Sequence, residues 1–377
     1  METVHLKEVT SSKELLRFIK FAPALYRNNP YYVPPLHQSE RYTLDRATNP
    51  IFKDAEARYF LALKGEKIVG RIAVLINWIE VKELQKKRIR FGWFDVIDDP
   101  EVSALLLNKV IEIGKAQGFD TIEGPMGFSN LDKAGMLIKG FEEPNTMITW
   151  YNAPYYAEHL KQMGFKKQAE WVEFEMKIKP FEDSPEKVKR FAELIVQRYK
   201  LKHINFKSTS EILPYVDEMF DLLQKTYDKL QTFVPVQNYQ IEYYKTQFIK
   251  FVHPEFIKCI ADASGKLVAF AITMPSFTAA LKKANGSLYP FGFFHLMRAR
   301  KNNSRASLYL IGIRPDYQNK GVTSIIFNEL QKTFNKHGIT EVETNPELVE
   351  NGAIQRLWKN YEHREHKRRA TFYKALT

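Results

Sequence analysis

The run Arg314-Pro315-Asp316-Tyr317-Gln318-Asn319-Lys320-Gly321-Val322-Thr323 has the composition of a loop that binds an anion with its main chain. The apolar stretch before it, residues 307–313, ends in Ile311, Gly312 and Ile313 and predicts a strand; residues 324–335 predict a helix. A strand thus feeds a tight loop that opens directly into a helix. The first amides of a helix lack intrahelical partners, and the helix dipole favours negative charge beside them. Gly321 has no Cβ, so the chain can close around a group the size of phosphate. Gly312 fits a local opening where a ligand approaches the backbone. The alternative is a polar turn in which residues 318–321 only reverse the chain. The preceding strand, Pro315 and the following amphipathic helix favour the anion reading.

Two further groups can do chemistry. Glu343, on a predicted strand, can take a proton through water, although a solvated strand carboxylate is the plainer reading. Residues 124–145 hold four glycines and two prolines, a long irregular segment of the kind kept for binding. Ser129, Asn130 and Asp132 are its polar candidates for contact with an amine substrate, Asp132 favouring the cationic form; a cap over a sheet is the alternative.

The run 313–323 resembles the acyl-CoA-binding motif of the GCN5-related N-acetyltransferase (GNAT) superfamily, aliphatic-x-Pro-x-x-(Gln/Arg)-x-x-Gly-x-(Gly/Ala). Ile313, Pro315, Gln318 and Gly321 match, and Thr323 stands where Gly or Ala is usual. The resemblance implies that the amides of Asn319, Lys320, Gly321, Val322 and Thr323 hold the pyrophosphate of acetyl-CoA or another acyl-CoA. It also implies that the main chain of Ile311, Gly312 and Ile313 polarises the thioester. Family members often carry an Asn and then, two helical turns on, a Tyr that acts as general acid to the thiolate. Asn351 matches the first position and Trp358 stands at the second, so Tyr361, one turn further, is the candidate acid. Packing is the alternative for Trp358 and Tyr361.

Composition narrows the classes. The chain has 377 residues, 44% hydrophobic and 14% aromatic, enough for two or three cored domains. One cysteine, Cys259, excludes a disulfide scaffold and a cysteine zinc site. His363 and His366 have no partner carboxylate pattern, so no metal is expected. No run approaches the ~20 apolar residues that span a bilayer, and residues 1–7 lack the features of a secretory signal, so a cytoplasmic protein is expected. Of the net charge of +12, residues 1–180 carry +2 and residues 181–377 carry +10. The half with the anion loop holds the excess, which suits CoA and would also suit nucleic acid.

The two halves echo each other. Tyr32-Val33-Pro34-Pro35 returns as Phe233-Val234-Pro235-Val236; hairpin patterns over 57–77 and 255–275 turn at Gly65 and Gly265; Gln117-Gly118-Phe119 returns as His337-Gly338-Ile339. The widening offset marks an insertion in the second half, residues 276–305, with clustered aromatics and a basic end that either line a hydrophobic ligand or cover a sheet edge. We expect an α/β protein of two tandem GNAT-like domains, residues 1–180 and 181–377, each a central mixed sheet with helices on both faces. Where the second domain has its anion loop, the first has Asp95, Asp98 and Asp99 before a helix, with Asp99 as N-cap and Pro100 at N1. CoA binding is therefore expected only in the second. The expected activity is acyl-CoA-dependent N-acyl transfer to a small-molecule or peptide amine. The alternatives are a tRNA-dependent aminoacyl transferase, since cell-wall peptide-bridge enzymes also pair GNAT-like folds, and a catalytically silent CoA-binding protein.

Overall fold

The structure, a computed structural model, describes residues 2–184, 186–227, 233–247, 252–350, 352, 355, 358–359 and 361–376. The chain forms two compact units, each assembled from separate stretches. One comprises Met1–Val172, Phe277–Leu296 and His366–Thr377, the other Glu173–Ser276 and Met297–Glu365.

In the first unit the strands are β1 (Val4–Glu8), β2 (Ala55–Lys64), β3 (Lys67–Asn77), β4 (Arg88–Val96), β5 (Thr121–Gly124) and β6 (Met136–Lys139), with the first residues of β7 (Lys166–Lys177) and most of β14 (His363–Ala375). Their order is β1-β2-β3-β4-β5-β14-β7, with β6 alongside β14. Strand periodicity sorts the side chains onto two faces. Phe60, Ala62, Ile72 and Val74 share a core with Val102, Leu106 and Val110 of the helix Pro100–Ala116. Leu61, Leu63, Ala73 and Leu75 meet Leu15, Phe18 and Ile19 of the helix Ser12–Leu25. That helix begins in a capping box of Ser11 and Glu14. The β2–β3 hairpin turns at Gly65, whose φ of +57° a Cβ would disfavour.

The second unit repeats this plan with β8 (Lys202–Ile204), β9 (Ile257–Ala261), β10 (Leu267–Pro275), β11 (Arg305–Ile313), β12 (Glu341–Thr344) and β13 (Glu347–Leu348). The last residues of β7 join β12, β11, β10, β9 and β8 in that order. The helix Val322–Lys336 packs Val322, Ile325, Ile326 and Leu330 onto one side, with Ala192 and Ile195 of the helix Glu186–Tyr199. The helix Val216–Tyr227 brings Leu222 against the other side, next to Phe270 and Gly312.

Each unit has one pair of parallel strands that starts together and then separates. In the second, β11 and β12 pair from Arg305–Glu341 to Leu308–Thr344, and no strand pairs with that side of β11 beyond Leu308 among the described residues. On its other side, Ile272–Leu310 is followed by Thr273–Leu308, so Tyr309 is an extra residue in a bulge at the point of separation. In the first unit β4 and β5 pair from Arg88–Thr121 to Arg90–Glu123, and the register slips between Arg71–Asp95 and Ala73–Gly92.

Candidate active site

The open side of β11 leads into the anion loop. Pro315–Tyr317 forms one 3-10 turn, Asn319 and Gly321 take positive φ of 60° and 81°, and the helix Val322–Lys336 starts at once. No side chain caps that helix start. The amides of Val322 and Thr323 are left for an anion, while those of Lys320 and Ser324 donate to the carbonyls of Tyr317 at 3.3 Å and Gly321 at 3.0 Å. Gln318 closes the loop by donating from Nε2 to the Ile313 carbonyl at 3.2 Å. Lys320 adds a cation, its ammonium 5.3 and 5.2 Å from the ring centres of Tyr199 and Tyr317. Arg314 is held instead by Asp262 at 2.9 Å and Asp316 at 2.8 Å.

Packing leaves no room for a side chain at two glycines. A Cβ on Gly321 would lie 2.7 Å from Cε1 of Phe191, and one on Gly312 would lie 2.5 Å from Cε1 of Phe270 and 2.8 Å from Cδ2 of Leu222. The opening expected at Gly312 is thus filled by side chains on the face its Cβ would occupy. In the strand itself, the Ile311 carbonyl accepts from Tyr227 Oη at 3.0 Å, and the Ile313 amide donates to Thr226 Oγ1 at 3.3 Å.

Across the separation stands a carboxylate that sequence reasoning missed. Glu347, on β13, accepts from Nε1 of the buried Trp358 at 3.1 Å on each oxygen. Burial raises its pKa from 4.5 to about 7, although hydrogen bonds from Trp358 and Thr344 oppose the shift. Its charge is felt at Tyr227, whose pKa burial pushes up to about 12. No local pattern marks Glu347 in the sequence, because its shift comes from tertiary burial. Glu343 lies before the separation, paired in register with Ser307, whose hydroxyl reaches its Oε1 at 3.4 Å. Tyr361 packs with Phe327 and Trp358 beside a small apolar pocket, and burial pushes its pKa up to about 12. Asn351 lies outside the described residues.

The equivalent place in the first unit is closed. Met126 N–H donates to the Phe91 carbonyl at 2.8 Å, and Asn77 Nδ2 donates to that of Phe128 at 2.8 Å, so residues after β5 occupy the strand gap. The helix Pro100–Ala116 is already capped, Asp99 accepting from the amides of Glu101 and Val102. Asp95 does not face outward as an anion-repelling residue: it is buried and takes Nε of Arg71 at 2.7 Å. Asp132 accepts from the Ser129 amide at 2.9 Å and its hydroxyl at 3.3 Å, which holds the glycine-rich segment in shape. Burial raises the Asp132 pKa above its ordinary value. Asn130, the third expected contact, is partly buried in the same loop. The unit also holds a small cleft beside Glu40, Arg71, Asp95 and Lys133, where Lys133 Nζ meets Glu40 at 3.3 Å.

Among the described residues one group could offer three metal ligands, His253, Glu255 and His337, with the ligand atoms within 4.8 Å. Glu255 is taken there by Lys336 at 2.7 Å and His337 at 3.1 Å, which accounts for the cluster. Also among the described residues, no helix is long and apolar enough to cross a membrane.

No family model matches the chain. It is 27% identical to Protein YghO of Escherichia coli over 372 residues, covering 97% of this chain and 94% of that one. It is 24% identical to the bacterial ceramide synthase of Caulobacter vibrioides over 314 residues, 82% of this chain and 80% of that one. Among solved structures it resembles a tandem GNAT protein from the clavulanic acid biosynthesis pathway, with a TM-score of 0.61 at 10% identity over 100% of this chain and 99% of the other. The chain therefore has the tandem GNAT fold, a mixed α/β architecture built twice.

Proposed function

We propose that this protein is an acyl-CoA-dependent N-acyltransferase whose chemistry belongs to the second unit, residues 173–276 and 297–365. The observation that carries the reading is the uncapped start of the helix Val322–Lys336 beside the unpaired end of β11. A CoA pyrophosphate on the amides of Asn319, Gly321, Val322 and Thr323 would set the pantetheine along residues 309–313, with its thioester at the strand separation. Likeness to a protein named a ceramide synthase supports amide formation, since a ceramide is a fatty amide.

The reaction balances with the residues present. An acceptor ammonium gives a proton to Glu347, held near the neutral range by burial. The free amine attacks the thioester carbonyl; the C–N bond forms as the C–S bond breaks. The leaving thiolate takes a proton from Tyr361, which is protonated at neutral pH, and the second proton that the nitrogen loses as the amide forms restores the phenol. Glu347 replaces Glu343 as base in this account because it lies beyond the point where β11 and β12 part. Ser129 and Asp132 bond to one another and so shape their loop, which leaves them no role as base or acid here.

The test is to incubate the protein with acyl-CoAs of increasing chain length and a panel of short- and long-chain amines, following thiol release and identifying products by mass. Thiol release that depends on the amine, with an amide product, is expected. Release without amine dependence, or ester products alone, would overturn the N-acyl assignment.

A further inference from the structure

The insertion buries Ala280, Leu281 and Ala284 but leaves its aromatic cluster bare. Tyr289, Phe291, Phe293 and Phe294 are 82%, 68%, 52% and 65% exposed. A single exposed Phe is ordinary, whereas four large rings within six positions make a patch that a soluble surface rarely leaves bare. The exposure does not reflect a loose chain. The Phe293 amide donates to the Leu288 carbonyl at 2.8 Å, Ser287 Oγ donates to the Tyr289 carbonyl at 2.8 Å, and the His37 amide donates to Gly286 at 2.8 Å. The backbone is pinned while the rings point out.

The helix Gly292–Lys301 orders its side chains along its axis. Phe293 and Phe294 flank the face that Met297 shares, by their four- and three-residue spacings to it. Arg298, Arg300 and Lys301 follow in its last turn, all exposed. Among the described residues no carboxylate pairs with these three. Apolar rings leading, with a cationic turn behind, match the interface of an anionic bilayer. Aromatic rings settle at headgroup level there, and basic side chains meet lipid phosphates. A second copy would bring three more cations to the patch, whereas an anionic surface neutralises the three already there, so charge favours the bilayer over self-association.

We propose that this helix and the turn before it dock the protein on an anionic lipid bilayer, peripherally and reversibly. The test uses the full chain, co-sedimented with phosphatidylcholine vesicles and with vesicles containing phosphatidylglycerol, at low and physiological salt. Binding is expected to the anionic vesicles and to weaken with salt. The variants Phe291→Ser/Phe293→Ser/Phe294→Ser and Arg298→Glu/Arg300→Glu/Lys301→Glu should each lose about tenfold or more in vesicle affinity. Both should keep the parent Tm, because the altered side chains are exposed. The proposal is overturned if the wild type does not bind, or if both variants bind as it does. It is equally overturned if sedimentation shows a dimer that the serine variant dissociates.

Discussion

Glu347 is the proposed base at the scale of single residues, and its environment makes two opposed demands. A carboxyl raised from 4.5 to about 7 is a weak acid at neutral pH and a usable base just above it. The base form appears as pH rises, so kcat should increase through pH 7 and level off above it. Glu347→Gln should flatten that limb and lower kcat by about 10²-fold or more. Stability should move the other way. A group that keeps its proton in the folded state contributes most below its unfolded pKa, and that contribution is lost as pH rises from 4.5 to about 7. Glu347→Gln should thus raise stability at pH 8 by up to about 3 kcal/mol, measured by denaturant unfolding. A variant less active but also less stable would mean that the side chain is only structural. Trp358 was legible in the sequence only as a departure from the family's tyrosine; the fold shows its indole donating to Glu347.

At the scale of elements, two helix starts with similar settings have opposite chemistry. The helix Pro100–Ala116 is capped by Asp99, and the helix Val322–Lys336 is capped by no side chain. Thr323→Asp separates binding from folding, because an acidic residue in the first turn favours the helix dipole by roughly 0.3–1 kcal/mol while repelling a pyrophosphate. The expected result is an unchanged or slightly higher Tm with CoA affinity reduced at least about tenfold by calorimetry. Gly321 is a poorer test, since any side chain there meets Phe191. Much of this level was legible in the sequence. Gly65 and Gly265 mark the hairpins because both turns need positive φ, and Pro100 after Asp99 marks a helix start. The strand separation was not legible, since it depends on where the Leu308–Thr344 pairing stops. Nor was the exposure of residues 289–294, because an aromatic cluster reads the same whether it is covered or bare.

Viewed whole, the molecule builds one fold twice, with a side-chain cap at the helix start Pro100 in the first unit and none at Val322 in the second. The first unit spends its polar residues inside. Glu80, fully buried, accepts from Arg88 and from Arg90, the latter at 2.8 Å, and Arg88 also reaches Glu123. Burial alone would raise the Glu80 pKa, but Arg90 and Arg88 hold it below the ordinary value. Its contribution is present above the unfolded pKa and is lost as pH falls. Glu80→Gln should destabilise the protein by about 3–5 kcal/mol, since two arginines lose a buried counter-charge. A loss within about 0.5 kcal/mol in urea unfolding would show the cluster to be solvated. The unequal use of the two copies is tested most directly by calorimetric titration of acyl-CoA into wild type, Thr323→Asp and Asp99→Asn. One site per chain, abolished by Thr323→Asp and kept in Asp99→Asn, is the predicted result. Two sites per chain, or an affinity untouched by Thr323→Asp, would contradict it.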